Sequence, residues 1–312
     1  MTFSDVINVI RSVTELGLIS SLTVLALYLS YSMLNVCDLS TDGCFTLGAA
    51  VGAIVALSGH PYLSIAAAMA AGVASGFITA FLQTRMGINS LLAGIIVNTG
   101  LYSVNIAVMG GASLLNMNKT VTVFTKVKAL FDHTFLEGWH KVAVALIAVA
   151  AVIVFLSIFL KTRLGLAIRA TGDNSDMVRY SSINPVFTTT VGLCVANAFT
   201  ALSGCLLAQY QKLSDINMGQ GMVTVALASL LIGGTLFRRC SVKVRAIGAV
   251  IGAIIFRAVY ALALNLQMPA YMLKLVSAVI VAAAISVPYL RKHIPQTMKK
   301  YFPGKENGDV RA

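Results

Sequence analysis

Long apolar runs separated by short polar segments dominate the chain. An α-helix needs about 20 apolar residues to cross a bilayer core of about 30 Å. Nine segments have this character, and most contain no charge: 15–34, 44–58, 61–83, 90–109, 142–160, 186–210, 221–236, 246–264 and 270–287. The pattern predicts an all-α, polytopic integral membrane protein with about 8–10 transmembrane helices.

Two of the nine segments, 44–58 and 221–236, are shorter than a full crossing, which predicts broken or protein-buried helices. At an offset of 178 residues, Gly43, Thr46 and Ala50 coincide with Gly221, Thr224 and Ala228. Because equivalent helices lie five crossings apart, we expect an inverted internal repeat, as in many transporters. One membrane domain (1–312) would then contain a first half (15–110), a linking helix (142–160), a loop (161–185), a second half (186–290) and a tail (291–312).

Composition supports a membrane protein, because 58% of the 312 residues are hydrophobic and only 11% are charged. An ordinary soluble chain is about a quarter charged. The five Cys show no paired spacing and the four His are scattered, so we expect no metal site.

Basic residues exceed acidic ones, with 23 Lys and Arg against 11 Asp and Glu and a net charge of +12. We ascribe this excess to membrane orientation rather than to nucleic-acid binding. Fifteen bases lie on one side of the predicted topology: Arg85, Lys161, Arg163, Arg169, Arg179, Arg238, Arg239, Lys243, Arg245 and six in the tail. Six lie on the other side: Arg11, Lys119, Lys126, Lys128, Lys141 and Lys212. The positive-inside rule then predicts an outer amino terminus and a cytoplasmic carboxyl terminus.

The amino-terminal segment has no basic region before its apolar run, so we expect no cleaved signal peptide. Its apolar residues Phe3, Val6, Ile7 and Ile10 share one side of a helix. This pattern predicts a short amphipathic segment at the membrane interface.

The loop 161–185 is too polar to lie in lipid. Asp173 is a candidate helix N-cap, with Asp176 three residues later, and Pro185 disfavours helical geometry at Asn184. The loop therefore predicts a short helix at about 174–182 on the cytoplasmic face. This helix is either a solvated connector or a docking element for a soluble partner.

Within this loop, Ala170-Thr171-Gly172-Asp173-Asn174 and Arg179-Tyr180-Ser181-Ser182-Ile183-Asn184 resemble a family motif. It is the coupling-loop motif of ATP-binding cassette (ABC) importer permeases of the branched-chain amino acid/ribose class. The stretches 39–49, 201–204 and 226–235 are similar to other segments of that family. Its tryptophan and aromatic amino acid subgroup is the most similar. Two departures are Ser182, where the family usually has Gly, and Asp176-Met177, where small residues are common.

The resemblance implies a permease subunit in a bacterial inner membrane, with no catalysis and no cofactor of its own. It would pair with a second copy and receive an amino acid or another small polar solute from an extracytoplasmic binding protein. Two partner ATPase subunits would bind ATP and Mg, since GxxxxGK[ST] is absent here. They would dock on the coupling residues Gly172, Asp173, Asn174, Asp176, Met177, Arg179, Tyr180 and Ser182.

Polar residues inside the apolar segments are candidates for the translocation pathway, and they are Asn98, Asn105, Asn197 and Arg257. Buried amides more often form hydrogen bonds between helices than contacts to a ligand. Arg257 is the single charge deep in its segment, where it would either lie at an interface or hold a substrate carboxylate.

Two other functions are open from the residues alone. An ion-coupled secondary transporter with inverted repeats needs a carboxylate within a span, and Glu15 is the candidate. A membrane-embedded lipid-modifying enzyme needs clustered carboxylates. The pairs Asp38/Asp42 and Asp173/Asp176 are too sparse to favour it, and we expect Asp38 and Asp42 to lie in a solvated loop.

Overall fold

A computed structural model of the protein describes residues 3–131, 139–237, 241–265, 272, 275–283 and 286. Eleven α-helices in this part are α1 (Phe3–Leu27), α2 (Thr41–Leu57), α3 (Pro61–Thr84), α4 (Ser90–Val108), α5 (Val123–Phe131), α6 (His140–Phe159), α7 (Arg163–Asp173), α8 (Ser175–Tyr180), α9 (Pro185–Gln211), α10 (Met222–Leu236) and α11 (Val242–Asn265). A π-helix (Tyr28–Met33) continues α1. Residues 275–283 of the last predicted span are helical, while the basic tail and Arg238 and Arg239 lie outside the described residues.

Six of the described helices are long and apolar enough to cross a membrane, and α2 and α10 are shorter apolar helices. These two are the segments that the sequence predicts to be short. The prediction of an all-α, polytopic membrane protein is therefore confirmed. Helix α1 also changes one expectation, because it runs without a break from Phe3 into the first span. The amino terminus is thus not a separate interfacial segment.

The core of the bundle is built on α1 and α9, which are the most deeply buried of the long helices. Helix α3 packs along α9, whereas α11 packs along α1. Helix α2 packs on both members of the first pair, and α10 packs on both members of the second. If α1, α2 and α3 are equivalent to α9, α10 and α11, this exchange of partners is the one that a twofold repeat produces.

Small residues let these helices approach closely, as five glycines of the described helices illustrate. A Cβ atom added at Gly204 would overlap the carbonyl oxygen of Phe45 on α2, and one at Gly233 would overlap that of Gly248 on α11. Gly72, Gly76 and Gly94 make similarly close contacts, whereas Gly234 faces open space. Five of the six therefore serve helix packing, and Gly234 does not.

A short antiparallel ribbon, which the apolar pattern does not predict, joins two connections at one end of the bundle. Strand β1 (Leu114–Asn116) follows α4, and β2 (Leu213–Asp215) follows α9. Their register pairs Leu115 with Ser214. Strands of three residues are too short to show the alternation that identifies a strand in sequence. We call this the ribbon end, and the opposite end, where α7 and α8 lie, the loop end.

Candidate functional site

The two short helices meet through their first turns. The Asp42 carboxylate, at the start of α2, accepts hydrogen bonds from the backbone amides of Gly221 (2.9 Å) and Val223 (2.8 Å) at the start of α10. The Thr46 hydroxyl accepts a third, from Gly219 (3.2 Å). These amides have no partner within their own helix, and a helix N-terminus carries partial positive charge. Asp42 therefore caps α10 from the other half of the chain.

A polar cavity of about 380 Å³ opens beside this junction. Its walls come from α2, α4 and the segment between β2 and α10, and its lining residues are Asp42, Gly43, Thr46, Asn98, Thr99, Tyr102, Ser103, Asn105, Ile216 and Gln220. Two of the four predicted pathway residues, Asn98 and Asn105, thus lie in one cavity. We call it the polar cavity.

The α4 wall is a stripe of polar side chains. Asn98, Tyr102 and Asn105 are spaced four and three residues apart, which places them on one face of a helix. Asn105 is only 1% exposed; its Nδ2 donates to the carbonyl of Gly43 (3.2 Å). Its Oδ1 is buried and has no partner among the described residues. Buried amide oxygens normally accept a hydrogen bond, so this atom is available to a solute or to water.

Repeat-related residues face each other across the polar cavity. Gln220 lies 178 residues after Asp42, at the offset that aligns the two short helices in sequence, and both side chains line the cavity. The sequence pattern did not identify Asp42, Tyr102 and Gln220 as cavity residues. The spacing of Asn98, Tyr102 and Asn105 was the available signal for α4, and the offset was the signal for Gln220.

Asn197 lies elsewhere, in a buried polar cluster between α2, α3 and α9. Its Nδ2 donates to Asp38 Oδ2 (2.8 Å), and Asp38 Oδ1 accepts from the amide of Ser40 (2.8 Å). Asp38 is only 2% exposed, so the expected solvated loop at this position is wrong. The Thr79 hydroxyl of α3 donates to the Ser40 hydroxyl (3.2 Å), which extends the network to that helix. Asn197 of α9 therefore binds the connection between the π-helix and α2, and it is not among the residues that line the polar cavity.

Arg257 occupies a third place, a pocket of about 310 Å³ between α11 and the first turns of α1. Its guanidinium lies 5.8 Å from the Tyr260 ring centre, and its Nε has no acceptor among the described atoms. Helix α1, which extends to Phe3, forms the other wall of this pocket. Arg257 is thus separate from Asn98 and Asn105, and the structure does not join the four pathway candidates into one site.

Glu15 is held by two partners. It pairs with Arg11 (3.0 Å) on its own helix and accepts a hydrogen bond from the Tyr210 hydroxyl (2.7 Å). A carboxylate already neutralised in this way is a poor candidate for ion coupling, because a coupling group must exchange its proton or ion.

The loop 161–185 forms two helices, α7 and α8, rather than one. Helix α8 covers Ser175–Tyr180, and its N-cap is Asn174 instead of the expected Asp173. The Asn174 side chain accepts hydrogen bonds from the amides of Asp176 and Met177 (both 3.0 Å), while Asp173 is the last residue of α7. Asn174 can cap α8 because its backbone is extended (φ −160°), and this extended residue separates α7 from α8.

The predicted coupling residues divide into exposed and packed ones. Met177 and Tyr180 on α8 are 68% and 91% exposed, and their spacing of three residues places them on one face of the helix. Gly172, by contrast, packs against the chain just after the π-helix, where a Cβ atom would overlap the carbonyl of Met33. A hydroxyl pair, Thr171 to Thr188 (2.8 Å), joins α7 to α9. The loop therefore presents Met177 and Tyr180 outward from a backbone anchored on α1 and α9.

The backbone conformation at Ser182 explains why the family pattern has Gly at this position. Its φ is +60°, in the left-handed region that favours glycine. The amide of Ser182 bonds the carbonyl of Arg179, and that of Ile183 bonds Val178 (both 3.2 Å). These two bonds form a Schellman motif at the end of α8, which commonly has Gly at this position. Ser182 performs the turn at a conformational cost.

Comparisons with known proteins agree with this architecture. Residues 9–285 match the family described as branched-chain amino acid transport system, permease component. The chain is 32% identical, over 94% of its length and 96% of the relative's, to the tyrosine transport system permease protein of Clostridioides difficile (strain R20291). It is 27% identical, over 70% of its length and 66% of the relative's, to the ribose import permease protein RbsC of Escherichia coli (strain K12). An uncharacterized protein of Rickettsia prowazekii (strain Madrid E) is 35% identical over 74% of this chain and 78% of its own. No solved structure matches the chain.

Proposed function

This multi-pass membrane protein belongs to the family of branched-chain amino acid transport permease components, and from that premise we propose that it is the translocating subunit of an ABC importer for an amino acid. The observation that carries the proposal is the polar cavity, where two short helices meet beside the polar stripe of α4. Short helices that meet end to end beside a polar site are a recurring feature of transporters. The cavity supplies the polar surface that a solute needs within an apolar bundle.

The lining of the polar cavity favours a small polar solute without net charge. It contains amide and hydroxyl groups but neither Lys nor Arg, and its one carboxylate, Asp42, already compensates the positive end of α10. A zwitterionic amino acid fits these properties. The name of the tyrosine permease relative supports an amino acid, and the similarity to that relative covers nearly the whole chain.

Energy for transport comes, in this proposal, from two ATPase subunits that bind ATP and Mg and dock on the loop end. Met177 and Tyr180 of α8 are the contacts, because they are large apolar side chains with little else to cover them. The loop end is then cytoplasmic, and the ribbon end faces an extracytoplasmic binding protein that delivers the solute. A second copy of this chain completes the pathway along the α4 face.

Capture of the ATPase tests the docking part of the proposal. The tagged permease, expressed with the ATPase encoded in its gene neighbourhood, should retain that ATPase on an affinity column. Tyr180→Ala should reduce the amount retained at least tenfold, because we expect Tyr180 to be a hot spot of the interface, and truncating a hot-spot residue costs about 2 kcal/mol or more. Tyr62→Ala, which truncates an exposed tyrosine at the ribbon end, is the matched control and should retain the ATPase as the wild type does. Equal retention by both variants would contradict docking on α8.

A further inference from the structure

An apolar groove runs along the outside of the bundle, over α9 and between α3 and α6. It has a volume of about 770 Å³, and almost all of its lining atoms are apolar. Cavities of about 300–1,000 Å³ accommodate small ligands. Residues such as Met69, Ala151 and Val195 form its walls, and Val123 and Val127 of α5 close it at the ribbon end. This is the apolar groove.

The length of the apolar groove indicates its occupant. Its lining on α3 runs from Tyr62 to Val73, eleven residues apart, which is about 16 Å along a helix. On α6 it runs over a similar distance, from Val144 to Phe155. The floor on α9 is longer, from Thr190 to Leu206, which is about 24 Å. Because the hydrocarbon core of a bilayer is about 30 Å thick, the two walls have the length of one leaflet and the floor extends beyond it. A transmembrane helix of a partner would need walls of the full thickness on both sides, whereas the acyl chains of one lipid need walls of half that length.

Two lysines stand at the ribbon end of the groove. Lys126 of α5 lies over the ring of Tyr62, with its Nζ 5.1 Å from the ring centre. Lys141 lies one turn before the groove residue Val144, over the ring of Tyr210 (4.7 Å). Within the described part of the chain the single ion pair is Arg11–Glu15, so neither lysine has a carboxylate partner there. Cation–π contacts with the two tyrosine rings hold both ammonium groups at this end of the groove.

Lys126 and Lys141 are two of the six bases on the predicted outer side, which the positive-inside rule does not explain. Their positions at the end of the apolar groove give a reason for their presence on that side. Basic pockets between transmembrane helices bind anionic lipid headgroups. Tyr62 and Trp139 at the same end are the amphipathic aromatics that favour the headgroup level.

We propose that the apolar groove is a binding site for one anionic phospholipid, with its acyl chains along α3, α6 and α9. Its phosphate lies between Lys126 and Lys141. The lipid fills the gap that α6 leaves over α9, and so it supports the linking helix between the two halves of the chain. This site is distinct from the polar cavity and does not depend on which solute is transported.

Trp139, the only tryptophan of the chain, makes the site measurable because it precedes Lys141 by two residues. The purified full-length protein is reconstituted in vesicles in which either phosphatidylglycerol or phosphatidylcholine carries brominated chains. We expect brominated phosphatidylglycerol to quench Trp139 fluorescence at a severalfold lower mole fraction. Lys126→Gln combined with Lys141→Gln should remove this preference, whereas the control Lys128→Gln, on the same helix α5, should keep it.

A second pair of variants tests the groove itself. Ala151 lines the groove, while Ala150 beside it is exposed on α6 but does not. Ala151→Phe should fill the groove and lower the quenching by brominated phosphatidylglycerol, and Ala150→Phe should not. Equal quenching by both lipids in the wild type would overturn the proposal. So would conversion of a dimer to monomers by Ala151→Phe alone, because the groove would then be an interface between copies.

Discussion

Individual side chains of one short helix satisfy the backbone of the other. Asp42 is the clearest example, because its two oxygens accept from two amides across the junction. The same carboxylate lines the polar cavity, so one residue serves both the packing and the surface that a solute would meet. The polar side chain of Asp42 in the first turn of α2 is therefore more important for this junction than the apolar character of the rest of the helix.

Asp42→Ala should lower the stability of the protein by about 1–2 kcal/mol, because it removes the side-chain cap of α10 and leaves the amides of Gly221 and Val223 without their acceptor. Thermal unfolding of the purified protein measures this loss. Asp215→Ala is the matched control, since Asp215 accepts from one exposed backbone amide, that of Asn217. It should change stability by less than about 0.5 kcal/mol. Similar losses for the two variants would contradict a special role for the junction.

Ser182→Gly should stabilise the end of α8, because glycine adopts a φ of +60° without the penalty that serine pays. We expect a gain of about 1 kcal/mol, which is about a fivefold slowing of amide exchange in a peptide covering α8. Ser181→Gly is the control, because Ser181 has a φ of −87° and gains nothing from glycine. Hydrogen–deuterium exchange measures both, and faster exchange in Ser182→Gly would show the turn to be wrongly assigned.

Helices in this fold are distinguished by what they pack against rather than by their apolar content. Helices α2 and α9 approach closely because Gly48 and Gly204 have no side chain at the contact. Helix α6, in contrast, is largely exposed although it is the most apolar of the six long helices. A sequence pattern cannot separate these cases, since both are continuous apolar runs.

Gly204→Ala should force α2 and α9 apart, because the new methyl group would overlap the carbonyl of Phe45. We expect a loss of about 1–3 kcal/mol. Gly234→Ala meets nothing within 4 Å and should be neutral or stabilise by about 0.5–1 kcal/mol. A thiol-reactive dye that reports exposure of the buried Cys44 and Cys205 follows the unfolding of both variants. Equal unfolding temperatures would contradict the close contact.

Most helices were predictable from sequence, because length and apolarity identify spans, and the two short segments are visible in the same way. The polar cavity was predictable only in part. Asn98 and Asn105 are recognisable in sequence as amides within an apolar segment. Asp42 lies just before an apolar segment, and only tertiary contacts bring it to α10. Asp38 and Asn197 are 159 residues apart, so their hydrogen bond has no local signal. The ribbon was missed because its strands are too short.

In the whole molecule, the helix bundle connects the ribbon end to the loop end. The loop end presents Met177 and Tyr180, and it is anchored through Gly172 to the chain just after the π-helix. That chain leads through Asp38 to the first turn of α2 and so to the polar cavity. We propose that movement of a docked ATPase reaches the cavity along this route. π-Helical turns frequently mark functional positions in helices, in agreement with such a role.

The account rests on ATP-driven passage of an amino acid through this subunit. The most direct measurement is uptake of radiolabelled tyrosine into vesicles that contain the permease, its ATPase and its binding protein. We predict that tyrosine uptake requires ATP on the side of the membrane where the ATPase is bound. Tyr180→Ala should abolish this uptake, and tyrosine uptake should exceed ribose uptake at least tenfold. Tyrosine uptake that proceeds without the ATPase, driven by an ion gradient, would contradict the account.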